Sequence, residues 1–274
     1  MHERIISIID YEHGETEGLI EALAEKLREA DFCPVRGDVK GAELIVVIGG
    51  DGSFLRTLER FDFPEVPFVG FNTGHLGFFQ ELQADDLDEF VKRYLYGQFG
   101  QQCYRTVLGS VEYGESTKML RGLNELSIKA ADAKTAHLDI YIGDNLVEKF
   151  SGDGVVISTP AGSTAYNYAL GGSIVDPRLE LLQLTPIAPV NTTAYRSFTS
   201  GIVLPPGFSV RILPDPDRAN EEDGNDTLIA IDGKEERFSD FKNIEVGLSE
   251  QSVTLLRFKN YEFWNTVKKK LLTP

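Results

Sequence analysis

The order of apolar and polar positions divides the chain into two textures. Through the first hundred residues, short continuous apolar runs alternate with helical stripes. Residues 4–9 (Arg-Ile-Ile-Ser-Ile-Ile) predict a first strand, and residues 16–30 a helix with Leu19, Leu23 and Leu27 one turn apart. Leu44 to Ile48 is rich in β-branched residues and unbroken, the pattern of a strand buried on both faces. Phe54, Leu55, Leu58 and Phe61 then recur at helical spacing. Residues 66–71 predict another buried strand, and 87–96 a helix behind the acidic start Asp85-Asp86. Strand and helix in alternation imply a parallel α/β layer structure.

The texture changes near residues 97–102. From there the segments read as strands: 103–113, 119–129, 136–142, 146–150, 154–159, 209–213, 227–231, 243–246 and 252–258. Gly143-Asp144-Asn145 is a hairpin signal inside this series. One helix interrupts it, around 163–170. The chain ends in a predicted amphipathic helix, 261–272, with Phe263, Trp264, Val267 and Leu271 on one face. A lone terminal helix after a β domain needs a surface to cover, so it is expected to return to the α/β half. The expected fold class is therefore α/β plus all-β: a Rossmann-like parallel α/β domain, 1–100 completed by 259–274, and a β-sandwich domain, 101–258.

Composition narrows the functions open to this fold. The chain of 274 residues is 42% apolar and 26% charged, ordinary for a globular protein. No apolar run approaches the roughly 20 residues that span a bilayer, so a membrane partner is not expected. The charged start reads as a strand rather than a secretory leader. Cys33 and Cys103 have no metal-ligand spacing, and reduced thiols in the cytoplasm are the expected reading. A formal net charge of −16 argues against nucleic acid. It also means that an anionic substrate must be held by backbone N–H groups, a local basic residue or a divalent cation. Residues 215–226, dense in Asp and Glu, read as a solvated loop between strands, with a metal site a distant second choice.

Three stretches carry candidate chemistry. Gly49-Gly50-Asp51-Gly52 turns a buried strand into a helix, where free N–H groups suit phosphate and one carboxylate stands at the strand's carboxyl end. It is neither a G-x-G-x-x-G fingerprint nor a lysine-bearing P-loop. A functionless Asp-Gly turn is the bland alternative, less apt after a doubly buried strand. Asn124-Glu125 lies in a strand-like run. Adjacent strand residues face opposite sides, so both serve one ligand only at a bulge or a strand end, and an exposed pair at a sheet edge stays open. Gly152-Asp153-Gly154 leads into Ser158-Thr-Pro-Ala-Gly-Ser-Thr-Ala-Tyr166, a hydroxyl-rich turn before a helix. It reads as an acceptor-binding surface, or for Ser163 as plain N-capping. Tyr166 is a base-stacking ring or core. His75, in the glycine-rich loop 72–78, has no nucleophile partner and reads as structural. Asp232-Gly233 ends a strand and reads as a turn, with lining a site as the lesser alternative.

Taken in order, Gly49-Gly-Asp-Gly-Ser-Phe-Leu55, Asn72-Thr-Gly-His-Leu-Gly-Phe78, Asn124-Glu125 and Gly152 through Tyr166 resemble the NAD kinase family in its compact bacterial form, over nearly the whole chain. The first motif alone is shared with lipid and sugar kinases; the ordered set is specific. The resemblance implies phosphoryl transfer from ATP, or polyphosphate in some members, to the 2′-hydroxyl of the adenosine ribose of NAD. It implies a divalent cation, Mg²⁺, with ligands unknown, and a homodimer or homotetramer whose subunits share the NAD site. By position it implies Asp51 as proton acceptor, with Gly49, Gly50 and Gly52 at the nucleotide phosphates or the dinucleotide. Phe78 corresponds to a ring near the adenine. Asn124 and Glu125 correspond to the residues on the ribose and adenine, and Asp153 to a carboxylate near the nicotinamide half. Thr164, Ala165 and Tyr166 line the dinucleotide, Ala188 makes a backbone contact, and Arg56 is a weaker correspondence. Ser151, Ala161 and Ala169 depart from the family pattern, where a basic residue, a hydroxyl and a small polar residue are common; this bears on NAD contacts, not on the reaction. An aspartate ordinarily titrates near 3.9, so Asp51 is expected to be ionised and a weak base. The rivals at this point are a lipid or sugar kinase using the same turn, and a dinucleotide-binding regulator without catalysis.

Overall fold

A computed structural model describes residues 3–11, 14, 16–74, 77–191, 196–217, 226–259 and 261–272. His75 and most of the acidic stretch 215–226 lie outside the described residues. In chain order the elements are β1 (Ile5–Asp10), α1 (Glu17–Glu29), β2 (Cys33–Arg36), β3 (Ala42–Ile48), α2 (Asp51–Arg60), β4 (Phe68–Phe71) and α3 (Leu87–Leu95). There follow β5 (Gly100–Tyr113), β6 (Ser116–Gly122), β7 (Glu125–Ala130), β8 (Ala136–Ile142), β9 (Asn145–Gly152) and β10 (Gly154–Ser158). The chain then runs through α4 (Tyr166–Ala169), β11 (Leu182–Ile187), β12 (Ile202–Leu204), β13 (Val210–Pro214), β14 (Thr227–Ile231), β15 (Lys234–Phe238), β16 (Phe241–Arg257) and α5 (Phe263–Val267). Two units separate by their internal contacts: Met1–Cys103 with Val253–Pro274, and Tyr104–Ser252.

The first unit is a parallel sheet in the order β2-β1-β3-β4, with Leu255 near the end of β16 paired in parallel to Phe68. Leu44 to Ile48 are fully buried, as a strand with helices on both faces requires. The buried stripe of α1 is Ile20, Leu23, Ala24 and Leu27, with Leu19 only half covered, one step round from the predicted leucine row. On α2 the buried face is Ser53, Phe54, Thr57 and Leu58. The C-terminal helix belongs to this unit, with Phe263 against Phe78 at 6.0 Å between ring centroids. It is shorter than predicted: α5 gives way to a π-helical turn, Lys268–Leu272. Its covered residues are Thr266 and Val267, while Trp264 is exposed, so the predicted apolar face holds only in part.

The second unit is antiparallel. One sheet runs β12-β11-β10-β7-β14-β15; the other contains β9-β8-β13-β16 with β5 and β6. Val155 and Ile157 of β10, Ile140 of β8 and Ile212 of β13 share one buried cluster, so the core is the filling of a sandwich. The hairpin at Gly143 pairs Ile142 with Asn145, as predicted. The single run expected over 119–129 is two strands, β6 and β7, with the break at Leu123-Asn124. The helix expected over 163–170 is a 3₁₀ turn, Ala161–Thr164, followed by the short α4.

Candidate functional site

In the first unit the site grows out of the β3–α2 turn. Gly49 adopts φ +139, a region that favours glycine, and its N–H donates to the Phe71 carbonyl at 2.9 Å. The Ser53 N–H donates to the Gly50 carbonyl at 2.9 Å. Of the five N–H groups from Gly49 to Ser53, those of Gly50, Asp51 and Gly52 are then, among the described residues, the ones left for a ligand at the start of α2. A Cβ built on Gly50 or Gly52 meets nothing within 4 Å. The fold does not require glycine there, and its absence of a side chain keeps the surface above the turn clear.

Asp51 opens α2, and the loop that follows β4 holds its carboxylate. The Phe78 N–H donates to Oδ1 at 2.9 Å and Oδ2 at 3.2 Å, and the Phe79 N–H to Oδ1 at 3.1 Å. Lys270 Nζ donates to Oδ2 at 2.5 Å. A Cβ on Gly77 would stand 2.5 Å from Oδ1, so the loop approaches only because residue 77 is glycine. Gln80, buried, braces the turn by donating its Nε2 to the Gly50 carbonyl at 2.7 Å. Phe78 is fixed at every polar atom: its carbonyl accepts from Arg257 at 3.0 Å and the Tyr261 hydroxyl at 3.3 Å. Its ring is 8% exposed, covered by Phe263 and the Lys270 ammonium. Arg56 is on the exposed face of α2, bonded to the Gly52 carbonyl and the Ser53 hydroxyl and lying over the Tyr11 ring at 4.6 Å.

In the second unit the elements bring the other two motifs together. Ser158 of β10 pairs with Glu125 of β7. The Thr159 N–H donates to the Asn124 carbonyl at 2.9 Å, and a Cβ on Gly162 would stand 2.1 Å from that oxygen. The 3₁₀ turn therefore lies directly on the backbone of Asn124. β7 begins at Glu125, so Asn124 and Glu125 sit at a strand end, the geometry under which adjacent residues can serve one ligand. Asp232, at φ +48 in the β14–β15 turn, accepts from the N–H groups of Leu123 (2.7 Å), Asn124 (2.7 Å) and Glu125 (3.3 Å).

Asn124 and Glu125 are buried, yet among the described residues Asn124 Oδ1 and Glu125 Oε2 have no hydrogen-bond partner. Buried polar atoms left unpaired are costly, and a pair of them marks a place where a ligand completes the bonding. Burial pushes the Glu125 carboxyl up to about 8, and the charge of Asp232 adds to the effect. Thr164, Ala165 and Tyr166 are half-buried around the turn, and Lys129 Nζ lies 5.0 Å from the Tyr166 ring centroid. Asp153 and Ala188 are exposed and adjacent: the Asp153 N–H donates to the Ile187 carbonyl at 3.0 Å, and Ala188 holds φ +43, a strained backbone for a residue with a Cβ. Ser151 is buried with its hydroxyl 2.9 Å from His137 Nδ1; Ala161 is buried, and Ala169 is exposed at the end of α4. The Ser163 hydroxyl caps no helix; it donates to the Pro160 carbonyl at 2.7 Å and accepts the Val175 N–H at 3.0 Å.

Sequence reasoning gave Asp232 a turn first and a place lining a site second, and passed over Gln80, Asn167 and Lys270. Asn167 is fully buried and accepts the Thr185 hydroxyl at 2.6 Å, fixing the segment after the 3₁₀ turn. The positive-φ Asp-Gly turn was the one available signal for Asp232. Among the described residues, no three His, Cys, Asp or Glu side chains are placed to hold a metal ion, and no helix is long and apolar enough to cross a membrane.

Comparison with known proteins adds the following. Residues 28–99 match the ATP-NAD kinase N-terminal domain, and residues 123–258 the ATP-NAD kinase C-terminal domain. An NAD kinase of Finegoldia magna is 34% identical, with 99% of each chain covered. An NAD kinase 1 of Listeria innocua is 33% identical over 82% of this chain and 84% of its own. Among solved structures, a yeast NADH kinase complexed with NADH superposes with a TM-score of 0.85 at 19% identity, over 98% of this chain and 87% of that one. An NAD kinase from Archaeoglobus fulgidus in complex with ATP superposes with a TM-score of 0.76 at 20% identity, over 98% and 99%. At those identities the two structures show a shared fold.

Proposed function

The chain belongs to the NAD kinase family, and from that premise we propose that it transfers the γ-phosphoryl group of ATP to the 2′-hydroxyl of the adenosine ribose of NAD, giving ADP and NADP. The observation that carries the reading is Asp51: a carboxylate at the start of α2, its oxygens fixed by the N–H groups of Phe78 and Phe79, beside a turn whose glycines leave the surface open.

In this reading the first unit takes the phosphate donor. The N–H groups of Gly50, Asp51 and Gly52 meet the phosphates at the positive end of the α2 dipole, and Arg56 adds a charge beside them. Phosphoryl transfer passes through a loose transition state, so positioning and charge neutralisation supply most of the rate. The second unit takes the dinucleotide. Asn124 Oδ1 and the Glu125 carboxyl receive the ribose and adenine, and a Glu125 that titrates near 8 presents a neutral carboxylic acid with a proton to donate at pH 7. Thr164, Ala165 and Tyr166 line the adenosine; Ser151, Asp153, Ala161, Ala169 and Ala188 border the rest of NAD. Asp51 accepts the hydroxyl proton as the ribose oxygen bonds to phosphorus.

A divalent cation, Mg²⁺, would supply charge neutralisation to this reaction. The described residues offer no cage of several carboxylates. The cation would therefore come with the substrate's phosphates and would offset their charge. The reading further holds that the enzyme is a cytoplasmic homodimer or homotetramer, in keeping with the resemblance.

The test is a coupled assay: enzyme, ATP, Mg²⁺ and NAD, with NADP detected by an NADP-specific dehydrogenase. Asp51→Asn is expected to keep the fold and NAD affinity and to lose orders of magnitude in turnover. Near-normal NADP formation by that variant removes Asp51 from the reaction. NAD binding in a calorimeter without any NADP formation by the natural chain favours a dinucleotide-binding regulator instead.

A further inference from the structure

One donor on Asp51 goes beyond what the turn and the loop supply. Lys270 stands in the C-terminal π-helical turn, 219 residues along the chain, and its Nζ is 2.5 Å from Asp51 Oδ2. The same ammonium lies 4.7 Å from the centroid of the Phe78 ring, a cation–π distance. Two separate contacts thus hold one flexible side chain at residues 51 and 78. The helix before it is anchored by the buried Thr266 and Val267 and by Phe263 against Phe78. Among the described residues, Oδ1 is occupied by two N–H groups, whereas Oδ2 has only the longer Phe78 contact besides Lys270. The oxygen left for a substrate hydroxyl is therefore the one that Lys270 orients.

We propose that Lys270 is a positioning residue for phosphoryl transfer, acting through Asp51. The inference rests on the reading of Asp51 as proton acceptor. An ionised carboxylate next to a transferring phosphoryl group repels its oxygens, and in a chain of net charge −16 the background field does nothing to relieve this. The ammonium cancels that repulsion and fixes Oδ2. In the step itself, the ribose oxygen bonds to the γ-phosphorus while the bond from that phosphorus to the β–γ bridging oxygen breaks, its electron pair leaving with ADP. The hydroxyl proton passes to Asp51 and returns to solvent after product release. As Asp51 takes the proton it loses its charge, and the field of Lys270, no longer offset, falls on the phosphoryl oxygens.

The experiment uses the full chain, ATP, Mg²⁺ and NAD, with Lys270→Met, Lys270→Arg, Asp51→Asn and the double variant Asp51→Asn/Lys270→Met. The slow variants are assayed at raised enzyme concentration. Loss of one charge-stabilising donor in an active site costs about 100-fold to 1,000-fold in turnover; for a partly exposed pair the expected loss of kcat in Lys270→Met is roughly tenfold to 100-fold. KM for NAD stays within about threefold, and Lys270→Arg recovers most of the loss. Because Lys270 acts through Asp51, Lys270→Met causes no further loss in the Asp51→Asn background. The inference is overturned if Lys270→Met keeps kcat within about twofold, if its whole effect is on KM for NAD, or if it lowers Asp51→Asn by the same factor as the natural chain. Failure of the natural chain to make NADP would instead overturn the NAD kinase reading, and this inference with it.

Discussion

Glu125 offers the sharpest quantitative test of the dinucleotide half-site. Its carboxyl titrates near 4.5 when exposed and at about 8 in the folded chain, raised first by burial and then by the charge of Asp232. A raised acid pKa means that the folded state binds the proton more tightly than the unfolded state. Its stabilising contribution is complete below 4.5 and is lost as pH rises through 8. Over that window the slope is up to about 1.36 kcal/mol per pH unit, so stability falls by roughly 3 to 4 kcal/mol from pH 5 to pH 8 on account of this one group. Glu125→Gln carries the neutral form permanently. The assay is urea denaturation at half-unit intervals from pH 5 to 8.5 for both proteins, with the linear-extrapolation slope checked for constancy. The natural chain should lose stability steadily relative to Glu125→Gln, which should show a shallower profile. NAD titrations in a calorimeter should agree: Glu125→Gln holds its affinity above pH 8, where the natural chain weakens. Parallel stability profiles for the two proteins would refute a buried, proton-holding Glu125.

Three further outcomes follow from the same geometry. Asp232→Asn removes a charged acceptor from three N–H groups, which should cost about 1 to 3 kcal/mol of stability; by removing the second cause of the high Glu125 pKa, it should also move the pH window above to lower values, read by the same denaturation series. Gly52→Val projects into open space, so the melting temperature should shift by less than about 3 °C while KM for ATP rises roughly tenfold, as loss of about 1.4 kcal/mol of phosphate contact requires. Gly162→Ala drives a methyl to within 2.1 Å of the Asn124 carbonyl and should cost about 1 to 3 kcal/mol by overpacking, with weakened NAD binding by calorimetry.

The sequence made the large divisions legible because they rest on local patterns. The continuous run Leu44–Ile48, the glycine turn and the Gly143 hairpin were each encoded within a few residues. The strands that escaped notice had no such pattern. β15 is Lys-Glu-Glu-Arg-Phe, an edge strand, where charged residues discourage further pairing and apolar alternation is not required. β2 and β11 each contain a proline, which argues against a strand on local grounds alone. The predicted pair 243–246 and 252–258 is one strand, β16, whose polar middle, Ser249-Glu-Gln-Ser252, masked its continuity. The motif residues were visible for the same local reason. Their supports were not, since the Lys270–Asp51 pair spans 219 residues and the Asp232–Leu123 bond 109. A side chain chosen to meet a partner that far away leaves no periodicity to read.

The two carboxylates at the centre of the reading differ through what surrounds them. Asp51 is met by two N–H groups and an ammonium, which fix the direction of its oxygens. At Glu125 the residue's own N–H is taken by Asp232, Oε2 has no hydrogen-bond partner among the described residues, and the charge of Asp232 is negative. The first arrangement aims a fixed oxygen at an incoming hydroxyl; the second suits a group that must keep a proton and donate it to an acceptor on the ligand. Neither difference lies in the identity of the residue, since aspartate and glutamate have nearly the same intrinsic acidity. It follows that exchanging Asp51 for Glu should fail for reasons of reach, while exchanging Glu125 for Gln should succeed at neutral pH. Only the proton-holding role makes an uncharged side chain an adequate replacement.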